Sequence, residues 1–155
     1  MPLTIRAANE SDAEPIAALS EEMCDYLRDL GDPTDFQFSA DAYRRDGFGR
    51  NPAFFGLVAQ AEGEIVGYLL YHFGYDCDWA RRTMHIVDLY VTQKHRTHGV
   101  GRALMMQAQK VSRDHGAEDM IWTVYKPNEL ARGFYRRLGA TDVDDLDLMH
   151  LEVTP

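Results

Sequence analysis

The sequence is poor in the residues that carry several common functions. Two cysteines, Cys24 and Cys77, occur in 155 residues and stand far apart. Neither has metal-ligand spacing, and the six histidines form no HExxH pattern. A disulfide framework and a structural or catalytic metal are therefore not expected, and the cysteines read as reduced thiols. No apolar run approaches the roughly 18 residues of a membrane-spanning helix. The opening "MPLTIRAANESD" lacks a charged stretch followed by an apolar one, so it does not read as a secretory signal. The expectation is a cytoplasmic protein without a membrane partner. Positive charge is also scarce: 16 Lys and Arg face 25 Asp and Glu, a net charge of −9. That argues against nucleic acid, whose phosphates need a basic face. It permits a cationic small molecule, although acidic charge also serves solubility alone.

What is present is ordinary for one folded domain over residues 1–155, with 45% hydrophobic and 26% charged residues. Ser11 and Glu14, at capping-box spacing, open a predicted helix. Ile16, Leu19, Met23, Tyr26, Leu27 and Leu30 share one face of it, and Gly31 ends it. Ser39 caps a short helix through Arg45, stopped at Gly47. "AFFGLVAQ" and "EIVGYLLYHF" are strands joined by the hairpin signal "AEG". "DCDWARR" is a polar loop and "RTMHIVDLYV" a third strand of this run. "GVGRALMMQAQKVSRDHG" is a helix, "DMIWTVY" a strand, "NELARGFYRRLG" a helix and "LMHLEV" a last strand. The order is β, α, short α, β, β, β, α, β, α, β. An antiparallel meander followed by a β-α-β crossover makes an α/β (α+β) fold with a mixed sheet, not a doubly wound one.

The stretch "HRTHGVGRALMMQ" joins a buried strand to a helix through two glycines. A helix N-terminus offers unpaired N–H groups and the positive end of its dipole. Gly99 and Gly101 let the chain turn tightly and let a phosphate approach. Arg96 and Arg102 flank the turn, with Lys94 and His98 nearby, so a pyrophosphate is its natural occupant. A plain tight turn into a helix is the other reading. The turn is neither GxxxxGK[ST] nor GxGxxG, which excludes a P-loop and a dinucleotide fingerprint.

Two stretches together narrow the choice. Arg96-Thr97-His98-Gly99-Val100-Gly101 follows a strand. About thirty residues on comes Asn128-Glu129-Leu130-Ala131-Arg132-Gly133-Phe134-Tyr135-Arg136-Arg137-Leu138-Gly139-Ala140. The pair resembles the R-x-x-G-x-G and N-x-x-A-x-x-F-Y-x-x-x-G-A motifs of the GCN5-related N-acetyltransferase (GNAT) superfamily. The resemblance implies a mixed central sheet with helices on both faces, and acetyl-CoA as co-substrate. It implies that Leu89, Tyr90 and Val91 pair with the pantetheine arm. Arg96, Thr97, His98, Gly99, Val100, Gly101 and Arg102 would hold the pyrophosphate, chiefly by N–H groups. Asn128 would hydrogen-bond the arm, with Phe134 and Tyr135 beside the thioester.

"RRDGFGRNPAFFGLVAQ", "YHFGYDCDW" and "DLYVTQKHRTHGVG" are similar to matching stretches of the diamine (spermidine/spermine) N-acetyltransferase family. This likeness covers nearly the whole chain. It implies a homodimer that acetylates a primary amine of a polyamine, thialysine or diamino acid. Asp88 stands at a family aspartate, Asp76 or Asp78 at another beside Trp79, and Asp147 at a family glutamate. Val87 replaces a family glutamate that helps remove the amine's proton, and Met149 replaces an aromatic residue. The acceptor pocket is thereby altered.

The chemistry requires a neutral amine, although an alkyl ammonium has a reference pKa of ~10.4. Tyr135 is the candidate acid for the departing thiolate, since a phenol is protonated at neutral pH. A backbone N–H near Tyr90 would meet the oxyanion. His85 lies two residues before Val87, on the same strand face, and is a candidate proton acceptor. Asp88 points the other way in an ideal strand, and a bulge would bring it round. Asp76, Asp78 and Asp147 are candidates to hold a second cationic group. Trp79 and Trp122 would pack on an alkyl chain or cation. Trp122 reads equally as core. The remaining alternatives are a non-catalytic acyl-CoA sensor, or an acetyltransferase for an aminoglycoside or a protein amine.

Overall fold

Alternating apolar residues build the central sheet. In the computed structural model, which describes residues 2–154, β1 (Leu3–Ala7), β2 (Phe55–Ala61), β3 (Glu64–Asp76), β4 (Arg81–Val91) and β5 (Ala117–Ile121) lie in that order across one sheet. The first four are antiparallel neighbours, and β5 runs parallel to β4. The β2–β3 turn places Glu62 at φ 52° and Gly63 at φ 85°, two positive values that match the right-handed twist of a hairpin. The crossover from β4 to β5 is α3 (Val100–Asp114). The predicted meander and crossover are thus observed.

Even-numbered residues of β3 face α1 (Ala13–Asp29) and α2 (Ala40–Gly47). Tyr68 and Leu70 pack there with Ile16, Leu19, Tyr43, Val58 and Tyr90. Gly67 is on the other face. A Cβ there would stand 3.3 Å from Leu104 of α3 and 3.0 Å from the Tyr90 carbonyl, so its lack of a side chain lets α3 and the end of β4 close on β3. Ser112 of α3 donates to Met84 Sδ on this side. The sheet therefore carries helices on both faces.

Several boundaries differ from the sequence reading. The capping box is Asn9 with Asp12, not Ser11 with Glu14: Asn9 Oδ1 accepts from the Ser11 N–H, and Asp12 Oδ2 from the Asn9 N–H. The buried Asp12 also accepts two hydrogen bonds from Arg6, at 2.8 and 2.9 Å, which ties β1 to the start of α1. β5 begins and ends earlier than predicted, so Trp122 lies just past the strand. The predicted last strand does not form. Residues 141–154 hold no strand, and Leu148, Met149, Leu151 and Val153 are exposed. Alternation of apolar residues was a strand signal there, but those residues found nothing to be buried against. Among the described residues no helix is long and apolar enough to cross a membrane.

By contacts the chain divides into two units, Met1–Thr123 and Val124–Pro155. The second contains α4 (Glu129–Arg137), which Asn128 caps through Oδ1 on the Ala131 N–H at 3.2 Å. Gly139, at φ 94°, ends it, and Arg132 and Arg136 both reach Asp142.

Candidate active site

The glycine turn is built from two left-handed residues. After β4 the chain makes a short 3₁₀ turn at Gln93–His95, and Arg96 is extended. Thr97 then adopts φ 66° and Gly99 φ 79°, and α3 starts at Val100. Alternation of this kind points successive N–H groups into one concavity. Among the described residues, no backbone carbonyl takes the N–H of Thr97, His98, Gly99 or Val100. Those of Gly101 and Arg102 are in the first turn of α3, where helix geometry supplies no acceptor. A Cβ placed on Gly99 would meet nothing within 4 Å, so the space beside these donors is open. Donors, dipole and open space together suit an anion. Gly99→Ala is expected to cost about 1 kcal/mol of stability through the left-handed backbone. Affinity of the turn for an anion, read by calorimetry with CoA, should fall about tenfold or more, because the methyl would enter the open space beside the donors.

Arg96 does a different job from its neighbours. Its Nε donates to the Val91 carbonyl at 3.1 Å, and a second nitrogen donates to the Tyr90 hydroxyl at 3.0 Å. The guanidinium also lies over the rings of Tyr26 and Tyr90, at 5.4 and 5.2 Å. Its fork is thus engaged inside the protein, where it locks the exit from β4. Glu22 of α1 completes the lock. Its carboxylate accepts from the Tyr90 hydroxyl at 2.8 Å, the Thr92 hydroxyl at 3.1 Å and the Gln93 N–H at 3.1 Å. Burial pushes the Glu22 carboxyl up, but these hydrogen bonds and the nearby Arg96 outweigh it and leave it below the usual glutamate value. The Tyr90 phenol is pushed up to about 12, mainly by burial and then by its bond to Glu22, so it stays a donor. The Tyr90 ring is therefore core.

β4 and β5 separate. Their parallel pairing ends at His85 opposite Ile121, while β4 runs on to Val91. Among the described residues no strand lies beside the edge of β4 from Ile86 to Val91 on that side. Asp88 Oδ1 accepts from the Leu89 N–H and Arg96 Nε donates to the Val91 carbonyl, and the remaining backbone groups of this edge suit an extended ligand. On its other side β4 has a bulge. Leu70 pairs with Asp88 and Tyr71 with Ile86, so Val87 is the extra residue. The bulge brings His85 and Asp88 to one face. His85 stacks on His72, Asp88 Oδ2 accepts from the Tyr68 hydroxyl at 2.7 Å, and Tyr68 and His72 lie four residues apart on β3.

As a residue Asp88 is half-buried, yet its carboxyl is enclosed, and burial raises it to about 6 against the opposing bonds from Tyr68 and the Leu89 N–H. Burial, and then the charge of His72, pull His85 below the usual histidine value. Burial therefore favours the neutral form of both groups.

The loop candidates sit elsewhere on the hairpin. Asp76 Oδ1 accepts from the N–H groups of Asp78 and Trp79, at 2.9 and 3.3 Å, which makes Asp76 a turn residue. Asp78 and Trp79 are exposed, with Arg81 over the indole at 5.4 Å. Asp76 is four residues along β3 from His72, roughly 13 Å at strand rise, so the structure does not gather these residues with His85. In the second unit, Asn128 uses its oxygen as a helix cap, and its side-chain amide has no acceptor among the described residues. Phe134 and Tyr135 lie edge to face at 5.2 Å. Trp122 is half-buried, while Asp147 is exposed in the segment that was expected to hold the last strand.

Sequence reasoning missed Glu22, Tyr26, Tyr68 and His72. Glu22 could have been found as a carboxylate among Leu19, Met23 and Tyr26 on the apolar stripe of α1.

Comparison with known proteins agrees with this geometry. The family described as acetyltransferase (GNAT) matches residues 16–140. A thialysine N-epsilon-acetyltransferase of Bos taurus is 34% identical over 154 residues, covering 94% of this chain and 88% of its own. The spermidine/spermine N(1)-acetyltransferase-like protein 1 of Homo sapiens is 28% identical over 156 residues, which span 95% of this chain and 22% of that protein. Among solved structures, an integron cassette protein from the mobile metagenome of V. cholerae superposes with a TM-score of 0.81 at 19% identity, covering 99% of this chain and 94% of that one, and shares the fold.

Proposed function

The chain belongs to the acetyltransferase (GNAT) family, and from that premise we propose that it moves an acetyl group from acetyl-CoA to a primary amine of a small cationic substrate. A polyamine, thialysine or a diamino acid is the acceptor class. The observation that carries the proposal is the open β4 edge running straight into an N–H-lined turn. Leu89, Tyr90 and Val91 offer backbone to the pantetheine arm. The N–H groups from Thr97 to Arg102 take the pyrophosphate, and the side-chain amide of Asn128 donates to the arm. Phe134 packs beside the thioester, and Tyr135 protonates the leaving thiolate.

The acceptor arrives as an ammonium and must lose a proton before it attacks. His85 and Asp88 are the acceptors for that proton: burial holds His85 below the usual histidine value, so its imidazole is neutral and able to accept, and raises the Asp88 carboxyl to about 6. The free amine attacks the carbonyl, whose developing negative charge meets a backbone N–H near Tyr90. The C–N bond forms and the C–S bond breaks. Val87 in place of an acidic residue leaves less negative charge for the acceptor. Trp79, Trp122, Asp76, Asp78 and Asp147 are the side chains offered to its alkyl chain or second cation. The working protein is a cytoplasmic homodimer in this reading.

The test is CoA-thiol release from acetyl-CoA with spermidine, spermine, putrescine, thialysine, lysine, an aminoglycoside and a lysine peptide. Release confined to polyamines, thialysine or lysine is expected. A rate confined to the aminoglycoside or the peptide overturns the substrate class, and acetyl-CoA binding with no release for any amine overturns the whole proposal.

A further inference from the structure

Opposite each other on β3 and β4, His72 and His85 stack with ring centroids 4.8 Å apart and planes 3° from parallel. His85 is also the last residue of β4 that pairs with β5, so the stack stands where the two strands part. Both residues are half-buried.

Two imidazolium ions in face contact repel strongly, so the pair holds one proton far more readily than two. The titratable and charged groups on the same sheet face include Arg6, Tyr68, Asp76, Arg81, Asp88 and Tyr90 of the strands, Asp119 of β5, Asp12 at the start of α1, Glu22 and Cys24 of α1, and Tyr43 of α2. Arg81 is tied to Asp119, Tyr90 to Glu22, and Tyr68 to Asp88. His72 is the neighbour whose charge bears on His85. The stack lies two residues, about 7 Å, along the strand from Val87, a span that bridging water crosses.

We propose that His72 is a positioning residue for amine acetylation: stacked on His85, it fixes the plane of the imidazole that takes the amine's proton and limits the pair to a single charge. This rests on the acetyl-transfer reading above and deepens it. The acceptor ammonium gives one proton to His85, directly or through water, and the neutral nitrogen attacks. The C–N bond forms, the C–S bond breaks, and the thiolate receives a proton from Tyr135. The new amide nitrogen sheds its second proton, which restores the phenol. The proton on His85 leaves to solvent past His72, so one proton is released per turnover.

The experiment compares wild type, His72→Phe and His85→Phe, with His72→Gln as a second variant should the larger ring fail to fold. The profile of kcat/KM for the amine against pH is measured with saturating acetyl-CoA. Imidazole titration is followed by NMR on the free protein. His72→Phe keeps a stacking ring but carries no charge, so the acid limb and the His85 titration should both move to higher pH, with a few-fold loss of kcat. His85→Phe should lose about 10²-fold in kcat, with the acetyl-CoA dissociation constant kept in both variants. An acid limb and a His85 titration that stay in place in His72→Phe and His72→Gln overturn the proposal, as does full activity in His85→Phe. Failure of the acetyl-transfer reading looks different: wild type then releases no CoA with any amine, while the NMR titration still reports the coupling of the two rings.

Discussion

Tyr135→Phe should lower the rate of CoA release by 10²- to 10³-fold while acetyl-CoA binds almost as tightly as before. The substitution keeps the ring that meets Phe134 edge to face and deletes only the hydroxyl. A general acid contributes roughly 10²- to 10⁴-fold when it sits on the leaving group. Because the amine still attacks and water still protonates some thiolate, a residual rate should remain. Single-turnover release followed with a thiol reagent, alongside calorimetric binding of acetyl-CoA, separates the two effects. An unchanged rate would remove Tyr135 from the mechanism, and a lost affinity would reassign it to holding the co-substrate.

Asp88→Asn should make the folded protein less sensitive to pH and a poorer catalyst. The Asp88 carboxyl has an ordinary value of 3.8 and stands at about 6 in the folded chain. Between those values the folded protein keeps a proton that the unfolded chain has lost. The stabilisation from this group is therefore complete below about 3.8 and declines as pH rises through about 6. Two units at 1.36 kcal/mol each make the decline about 3 kcal/mol. Asparagine still accepts the Tyr68 hydroxyl through its oxygen but carries no charge to bury. Urea unfolding of both proteins at several values between pH 4 and pH 8 reads this directly. Wild type should lose stability relative to the variant as pH rises, whatever the other titrating groups do, because they are common to both. A difference that stays flat with pH would mean that the carboxyl is not confined as its surroundings indicate.

Those outcomes bear on side chains that were visible in the sequence to different degrees. The meander was legible because β2, β3 and β4 are long and largely apolar, and the crossover because α3 has an apolar stripe. The glycine turn was legible as a turn because two glycines stand between a strand and a helix, and its occupant only through the resemblance of that turn and the stretch from Asn128 to Ala140 taken together. The pairing of His72 with His85 was present in the sequence but unread. A four-residue turn at 77–80 makes Asp76 face Arg81, and the same register then sets His72 against His85. Asp88 needed one more fact, the extra residue at Val87, which no local propensity marks. Glu22 and Tyr26 depend on how α1 lies across the end of β4, a tertiary relation that helical periodicity alone does not supply. The last predicted strand went wrong for the opposite reason: "LMHLEV" has the apolar content of a strand, but strand pairing also needs a neighbour.

The bare edge of β4 has a consequence for handling and for life in the cell. Extended backbone with unsatisfied donors and acceptors is adhesive, and any unfolded segment nearby can zip onto it. In the proposed mode of binding, the co-substrate would also shield this edge. The free enzyme should then be the form that clumps on storage or heating, and added CoA should act as a preservative. In a starved cell, where the acyl donor runs low, the same protein would become its own hazard, so metabolic state would set how long each molecule survives.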